Sequence, residues 1–567
     1  MAVNDNFPAP DVLIVGAGPV GMTLACVLAR QNISVRIIDR NDGPTAYSKA
    51  IGIHARTLEL MHTIGIAEAM VERGNPMQRF RVNADRRCII DASFASISSR
   101  YPFVLGLPQS VTEHLLSRQL AECGVSVERN TEIVEITDAG SPADPGRPAR
   151  VILRGPGGNG ESVSTSWLCG CDGSRSSVRT LLDIDFPGGD YRRAFILGDV
   201  RIDSDEAQDE LQFFISRHGY LLMIPMPRGM HRIIAQTDKT LDDFQGTARP
   251  EASLEELQAI VDRNGPGGVR VHSPAWLTCA PFYYRLAETP RRGRAFLLGD
   301  ALHLYSPLGA QGLNTGAHDA FNLGWKLAQV ISGSANLALL DSYTEERMAI
   351  ARKIAEVTSR TTRFITNTTP WYRTLRKSVV PLVNASRRVQ IDLPWLMSGL
   401  RQSYAGHSLS AGNPAGDLKP GDRCPHAYVR VDGALRPLAA MVHGQHFTLL
   451  VLHRRDTTDH RQNLMKWLDN CPAAKRLRTC YITREPMEQN IALGIDTAHA
   501  IEDTTAEVFH AFGLNQGFVL VRPDGHLALL DSNAGNLGAV ADYFAGPYWT
   551  FDEPVKSEPS AVANAYA

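Results

Sequence analysis

The chain has 567 residues, too many for one ordinary core, so two or three domains are expected. Its composition is 44% hydrophobic and 21% charged, which marks a globular protein, and a formal net charge of -2 gives no general attraction to nucleic acid. Nine scattered cysteines without a CxxC pair exclude a disulfide framework and a structural zinc site, and no metal is expected. The N-terminus, MAVNDNFPAPD, has no signal-peptide form. No stretch reaches the roughly 18 to 20 apolar residues of a bilayer span, so a cytoplasmic protein is expected.

The first predicted element is a buried strand in DVLIVG, residues 11–16. GAGPVG follows at once, then MTLACVLARQN with helical spacing, and then the apolar run VRII, which ends on Asp39. This is a strand, a glycine turn, a helix and a second strand within about 30 residues, the form of a dinucleotide-binding unit. Gly16 permits the tight turn, Gly18 lets the backbone approach a pyrophosphate, and Gly21 lets the helix pack on the strand. Phosphates then meet free N–H groups at the helix start, beside Pro19. A carboxylate at Asp39 accepts bonds from a ribose hydroxyl and disfavours a 2′-phosphate, which points to FAD or NAD and not NADP at this site. The polar continuation RNDGPTAYSKAIGIHARTLELM is not the regular repeat of an NAD dehydrogenase, and a short helix is expected over Arg56 to Met61. Arg40, Lys49 and Arg175 are basic residues able to face phosphate.

Two further clusters lie far down the chain. WLCGCDGSRSSVR, residues 167–179, offers a turn at Asp172 and Gly173 and hydroxyls at a helix start. GRAFLLGDALHLYSPLGAQGLNTGAHDAFNLGWKLA, residues 293–328, has a buried strand ending at Asp300, a Pro- and Gly-rich loop over 306–312, and a helix from about Asn314. A ribityl chain and a flavin edge need this mixture of a carboxylate, backbone donors and little side-chain bulk.

Together these clusters resemble the single-component FAD-dependent aromatic hydroxylases, the group A flavoprotein monooxygenases, and specifically the phenol-hydroxylase-like and polyketide-hydroxylase-like branch. The resemblance spans nearly the whole chain. Gly16, Gly18 and Gly21 match the glycine fingerprint. Asp172 and Gly173 match the DG pair that serves FAD and the nicotinamide cofactor. Gly299 and Asp300 match the GD pair, with Asp300 on the ribityl. Pro307, Gly309, Gln311, Gly312, Leu313 and Asn314 match the loop along the isoalloxazine ring, and Gln109 matches an FAD-contacting glutamine. The chain departs from the family at Lys49, Leu302 and Ser306, where Arg, Ala and Pro are usual; Lys keeps the charge of Arg but loses its fork.

The resemblance implies an α/β fold: a Rossmann-like FAD-binding domain over 8–184 and 281–400, the second part with a helical extension, interleaved with a substrate domain over 185–280 that contains an antiparallel sheet. Phe213, Tyr220, Leu222, Met223 and Trp276 are candidates for its aromatic pocket. The Gly-, Pro- and Ser-rich stretch 401–423 reads as a linker. Residues 424–567 resemble a thioredoxin-like domain without CxxC, leaving packing or homodimer formation as its role.

The activity implied is hydroxylation of a phenolic or other electron-rich aromatic substrate with NADPH or NADH and dioxygen, through a flavin C4a-hydroperoxide. Tyr220, His54 and His303 are the candidate general bases, and Pro307 begins the loop facing flavin and oxygen. A Baeyer–Villiger or epoxidising oxygenase acting on a polyketide-like substrate, and an uncoupled NAD(P)H oxidase or flavin-containing binding protein, are the alternatives.

Overall fold

A computed structural model describes residues 9–44, 50–84, 86–144, 146–203, 209–216, 218–244, 252–306, 309–366, 387–431, 434–442, 444–455, 457–484, 498–503 and 505–550. Three large sheets organise the chain. The first has six strands, with Val12–Val15 between Trp167–Gly170 and Val35–Ile38 and parallel to both. All four residues of Val12–Val15 are buried, as the uninterrupted apolar run requires. The helix Pro19–Ala29 begins with proline at its first turn, where a missing N–H costs nothing, and buries eight consecutive residues. It packs on the helix Gln311–Ile331. The expected short helix spans Ala55–Thr63.

The second sheet has eight strands, in the order His303–Leu304, Arg270–Leu286, Gly188–Asp203, Met230–Thr240, Gly219–Pro225, Glu210–Ser216, Arg79–Ala84 and Arg87–Ser93. It reaches well outside 185–280. The hairpin over 79–93 joins it through a parallel pairing of Arg79–Ala84 with Glu210–Ser216, so the sheet is mixed and not purely antiparallel. One face carries Ile196, Leu221, Met223 and Ile233 against the helix Leu254–Asn264; the other carries Leu197, Phe213, Leu222, Ile224 and Ile234. Gly106 holds this sheet to the first part of the chain, because an added Cβ there would lie 2.6 Å from the Pro225 carbonyl.

The expected helical extension is present as Asp341–Thr366 and Arg387–Met397. The third sheet also has eight strands, with Phe447–His453 and Leu477–Thr483 parallel and Gln516–Val521 antiparallel to the first. Residues 401–423 are not a free linker. Tyr404 and Leu409 are buried, and Ala411–Gly412 pairs with Leu529 and Leu530, because the apolar residues within the Gly-rich stretch find a core to enter. One face of the third sheet packs on the Gln311–Ile331 helix through Trp325, whose ring meets Phe447 edge-on at 5.6 Å. Among the described residues, no helix is long and apolar enough to cross a membrane.

Candidate active site

A cavity of about 2110 Å³ runs from the glycine turn to the face of the second sheet. One end is the dinucleotide unit. Gly16 has φ +103°, and a Cβ there would strike the Cys171 carbonyl. A Cβ on Gly21 would lie 1.9 Å from the Gly16 carbonyl, whereas one on Gly18 would meet no atom within 4 Å. Gly21 therefore serves close packing and Gly18 leaves the channel open. The helix beginning at Pro19 has no side-chain cap, so its first N–H groups are available to an anion. Asp39 ends the neighbouring strand and lines the channel with Arg40. Its carboxylate accepts N–H bonds from Ala17 and Asn41, each at 2.8 Å, which fixes its orientation.

Gln109 opens the helix Gln109–Glu122 and lines the same channel. It accepts from the Ala50 N–H at 3.1 Å and donates to Glu113 at 2.7 Å. Asp172 and Gly173 also line it. Asp172 does more than a free ligand group would: it accepts from the Ser176 hydroxyl and from the Ser177 and Val178 N–H groups, capping the helix Ser177–Leu181. Burial raises its pKa from the ordinary value of 3.8, against the pull of those bonds. Asp300 presents an exposed carboxylate to the channel beyond the strand Ala295–Leu297.

The loop from Gly309 lines the cavity through Gly309, Gln311, Gly312 and Leu313. Ala310 adopts the left-handed conformation and the helix starts at Gln311 without a side-chain cap. Asn314 is buried and does not line the cavity; it clamps the loop. Its amide donates to the Gly52 and Ala310 carbonyls at 2.9 and 2.6 Å and its oxygen accepts from the His54 N–H at 2.9 Å. His54 reaches the cavity wall, where its Nε2 donates to the Gly309 carbonyl at 3.0 Å. Burial lowers its pKa to about 4, so the ring is neutral at pH 7.

Three sequence expectations are corrected. His303 does not line the cavity; it is buried behind it, with Nε2 2.7 Å from the Asp319 carboxylate and its ring stacked on Tyr305. Tyr220 is covered by Phe213 and Phe195, at ring separations of 5.2 and 5.4 Å, and burial pushes its hydroxyl pKa well above the ordinary value. Met223 points to the opposite face of its strand from Leu222, as alternation demands. Phe213, Leu222 and Trp276 do line the cavity. Lys49 and Pro307 lie outside the described residues.

The structure adds residues that sequence reasoning missed. Phe80, Val82, Ile89 and Ile90 from the 79–93 hairpin and Leu393 and Met397 from the Arg387–Met397 helix wall the sheet end. The alternation in RFRVNA was the available signal for the hairpin. Asp319 braces the GD turn: one oxygen accepts from the Gly299 N–H at 3.0 Å and from His303, and the other from Arg347 at 2.6 Å. Burial opposes ionisation, but the Arg347 guanidinium and the hydrogen bonds from His303 and Arg347 hold its carboxyl down at about 2.

The residues present fit FAD. An open glycine turn at a helix start suits the pyrophosphate, a fixed carboxylate at Asp39 suits the ribose, Asp300 stands in the channel between them and the loop, and the uncapped Gln311 helix start suits a flavin edge.

Known proteins agree with this geometry. The model of the FAD binding domain family matches residues 9–358. The chain is 34% identical over 541 residues to 6-methylpretetramide 4-monooxygenase of Streptomyces rimosus, covering 93% of this chain and 91% of that protein. The solved structure of the anhydrotetracycline hydroxylase OxyS from Streptomyces rimosus superposes with a TM-score of 0.70 at 27% identity, covering 95% of this chain and 99% of that one. CabE, an aromatic hydroxylase from angucycline biosynthesis, gives 0.72 at 25% identity, covering 95% and 99%. With the family model matching more than half its length and a dinucleotide channel that fits FAD, the chain belongs to the single-component FAD-dependent aromatic and polyketide hydroxylases, the group A flavoprotein monooxygenases, and is an enzyme reduced by NAD(P)H.

Proposed function

We propose that the enzyme hydroxylates a phenolic ring on a substrate larger than one ring. The observation that carries this is the apolar sheet end of the cavity. There the Gly309 loop faces an apolar sheet surface of Phe80, Val82, Leu211, Phe213, Leu222 and Ile224, continuous with the dinucleotide channel. FAD held by the channel residues would supply the redox chemistry, with hydride from NAD(P)H as reductant, one atom of dioxygen going to the ring and the other to water. The protein's part is to orient the ring and exclude water. Apolar walls on both the sheet side and the Arg387–Met397 side hold the ring by burial and keep water from the reacting atoms.

FAD contacts are assigned to Gly16, Gly18, Pro19, Asp39, Arg40, Gln109, Asp172, Gly173, Asp300, Gly309, Gln311, Gly312 and Leu313, all of which line the channel. Gly21 and Asn314 act behind it, through packing and through the loop clamp. His54 is a loop-holding group, since its Nε2–H is committed to Gly309. We read the chain from about residue 424 as a thioredoxin-like domain. The strand order Leu527–Asp531, Gln516–Val521, Phe447–His453, Leu477–Thr483 supports this, as does the helix Thr458–Asn470 between the last two strands. Nine cysteines without a disulfide suit a reducing, cytoplasmic setting.

The test is NAD(P)H oxidation across phenols, hydroxylated aromatic acids and polycyclic quinones, with product mass. Stimulated oxidation and a gain of one oxygen with the ring retained are expected. Oxygen insertion into a carbon–carbon bond, or peroxide as the sole product with every compound, contradicts the proposal.

A further inference from the structure

The face of the second sheet that carries Leu197, Phe213, Leu222 and Ile234 also carries a buried ion pair. Asp199 and Arg232 sit opposite each other in register, and Asp199 is in turn opposite Trp276. Alternation puts all three on the same face as Leu197 and Ile234. Arg232 is fully buried and Asp199 is nearly so. Two bonds join the pair: Arg232 Nε to one carboxylate oxygen, and Nη2 to the other at 3.0 Å.

A buried ion pair is poor value as a stabiliser, because desolvation offsets most of its attraction. An apolar pair at these positions would serve the core at least as well. The pair does have a definite effect on its neighbour. The Trp276 indole N–H donates to Asp199 at 2.8 Å, and the Arg232 guanidinium lies 4.8 Å from the Trp276 ring centroid. One contact fixes the ring's edge and the other occupies a face. A half-buried indole that lines the cavity is thus held as a rigid plate.

We infer that Trp276 is a specificity-determining residue, the plate on which the substrate's fused, planar rings stack, and that Asp199 and Arg232 are positioning residues that lock it. The inference rests on the reading of the sheet end of the cavity as the substrate chamber. Stacking on a fixed aromatic plate scales with the ring area that overlaps it, so the plate favours a multi-ring phenol over a single ring. Because the indole is pre-oriented, little rotamer entropy is lost on binding.

The test titrates FAD-loaded enzyme with a hydroxylated anthraquinone and with phenol, reading the flavin absorbance change in the absence of NAD(P)H. Binding is thereby separated from turnover: failure to hydroxylate would count against the proposed function, and failure to discriminate would count against the plate. Wild-type enzyme is expected to bind the anthraquinone more tightly. Trp276→Leu is expected to weaken anthraquinone binding about tenfold or more, roughly 1.4 kcal/mol, while phenol binding changes less than about threefold. Trp276→Phe keeps a smaller plate and is expected to recover much of the loss. Asp199→Asn and Arg232→Met are expected to lower the same selectivity with FAD content and thermal midpoint as controls for folding. Equal loss for both compounds in Trp276→Leu, no loss in it, a Trp276→Phe variant as weak as Trp276→Leu, or wild-type enzyme that does not prefer the anthraquinone would each overturn the inference.

Discussion

Two glycines three residues apart in the fingerprint do different physical work. A methyl on Gly21 collides with the Gly16 carbonyl, and one on Gly18 projects into open channel. Gly21→Ala is therefore expected to destabilise the fold by about 1–3 kcal/mol through overpacking. Gly18→Ala is expected to leave the unfolding midpoint of the FAD-free protein unchanged while weakening FAD binding. Thermal melts of both apoproteins with FAD titrations check this, and equal midpoints for the two variants would contradict it. His54 gives a pH prediction at the same scale. Folding moves its pKa from 6.5 to about 4, so between those values the unfolded chain binds more protons. The stability carried by the neutral ring is complete above pH 6.5 and is lost as pH falls towards 4. Buried His231, lowered to about 4, and His526, lowered to about 3, act in the same direction. The melting temperature is expected to drop as pH falls from 6.5 to 4.5; a flat profile over that window would show that these rings are not buried neutral.

At the scale of elements, the cavity-lining loop at Gly309 is held from behind by the first turns of two helices. Asn314 on one and the His54 backbone at the start of the other share a hydrogen bond, and Asn314 also ties Gly52 to Ala310. Asn314→Ala leaves the His54 N–H and the Gly52 carbonyl without that partner, at a cost of about 1–3 kcal/mol. Lower thermal stability and weaker FAD retention are expected together in the melt and the FAD titration; a stability loss with FAD affinity intact would assign Asn314 to packing alone. The same scale explains what the sequence made legible. The unit from Val12 to Asp39 is local: strand, turn and helix carry their own spacing, so the glycines and the carboxylate could be read directly. The GD pair and the loop after it were legible for the same reason. The 79–93 hairpin was not, although it alternates, because the strand it joins, Glu210–Ser216, lies far downstream. Asp319, Asp199 and Arg232 gave no signal, since a lone charge in a helix or strand names no partner. The misplacement of Tyr220 and His303 has the same origin: polarity suggested chemistry, and the fold instead buries both side chains, beneath Phe213 in one case and against Asp319 in the other.

Across the whole molecule, the third sheet is joined to the FAD-binding part by buried charge as well as by Trp325. Arg522 bridges Glu346 and Asp524, each at 2.5 Å, and Lys326 donates to Glu346 at 2.7 Å. Arg56, two residues beyond His54, donates to the Asp524 carbonyl at 2.6 Å, and Arg423 pairs with Glu59 from the same helix. Arg347, which holds Asp319 behind the GD turn, also donates to the Tyr404 hydroxyl. The C-terminal part thus braces helices that carry the flavin site. Arg522→Met would leave buried Asp524 without its guanidinium partner and Glu346 with Lys326 as its remaining cation, and a loss of about 3–5 kcal/mol is expected in urea unfolding of the FAD-loaded enzyme; an unchanged midpoint would remove the network from the account of stability.

The central claim is that this molecule couples NAD(P)H oxidation to oxygen transfer onto an aromatic ring held in the chamber above the Gly309 loop. The most direct measurement supplies oxygen-18-labelled dioxygen with NAD(P)H and a polycyclic phenol that binds the enzyme, and follows cofactor oxidation, peroxide and product mass together. The account predicts that the phenol accelerates NAD(P)H oxidation and that one labelled oxygen appears on an intact ring. Oxidation at the same rate with and without the phenol, with all the label in hydrogen peroxide, would contradict it.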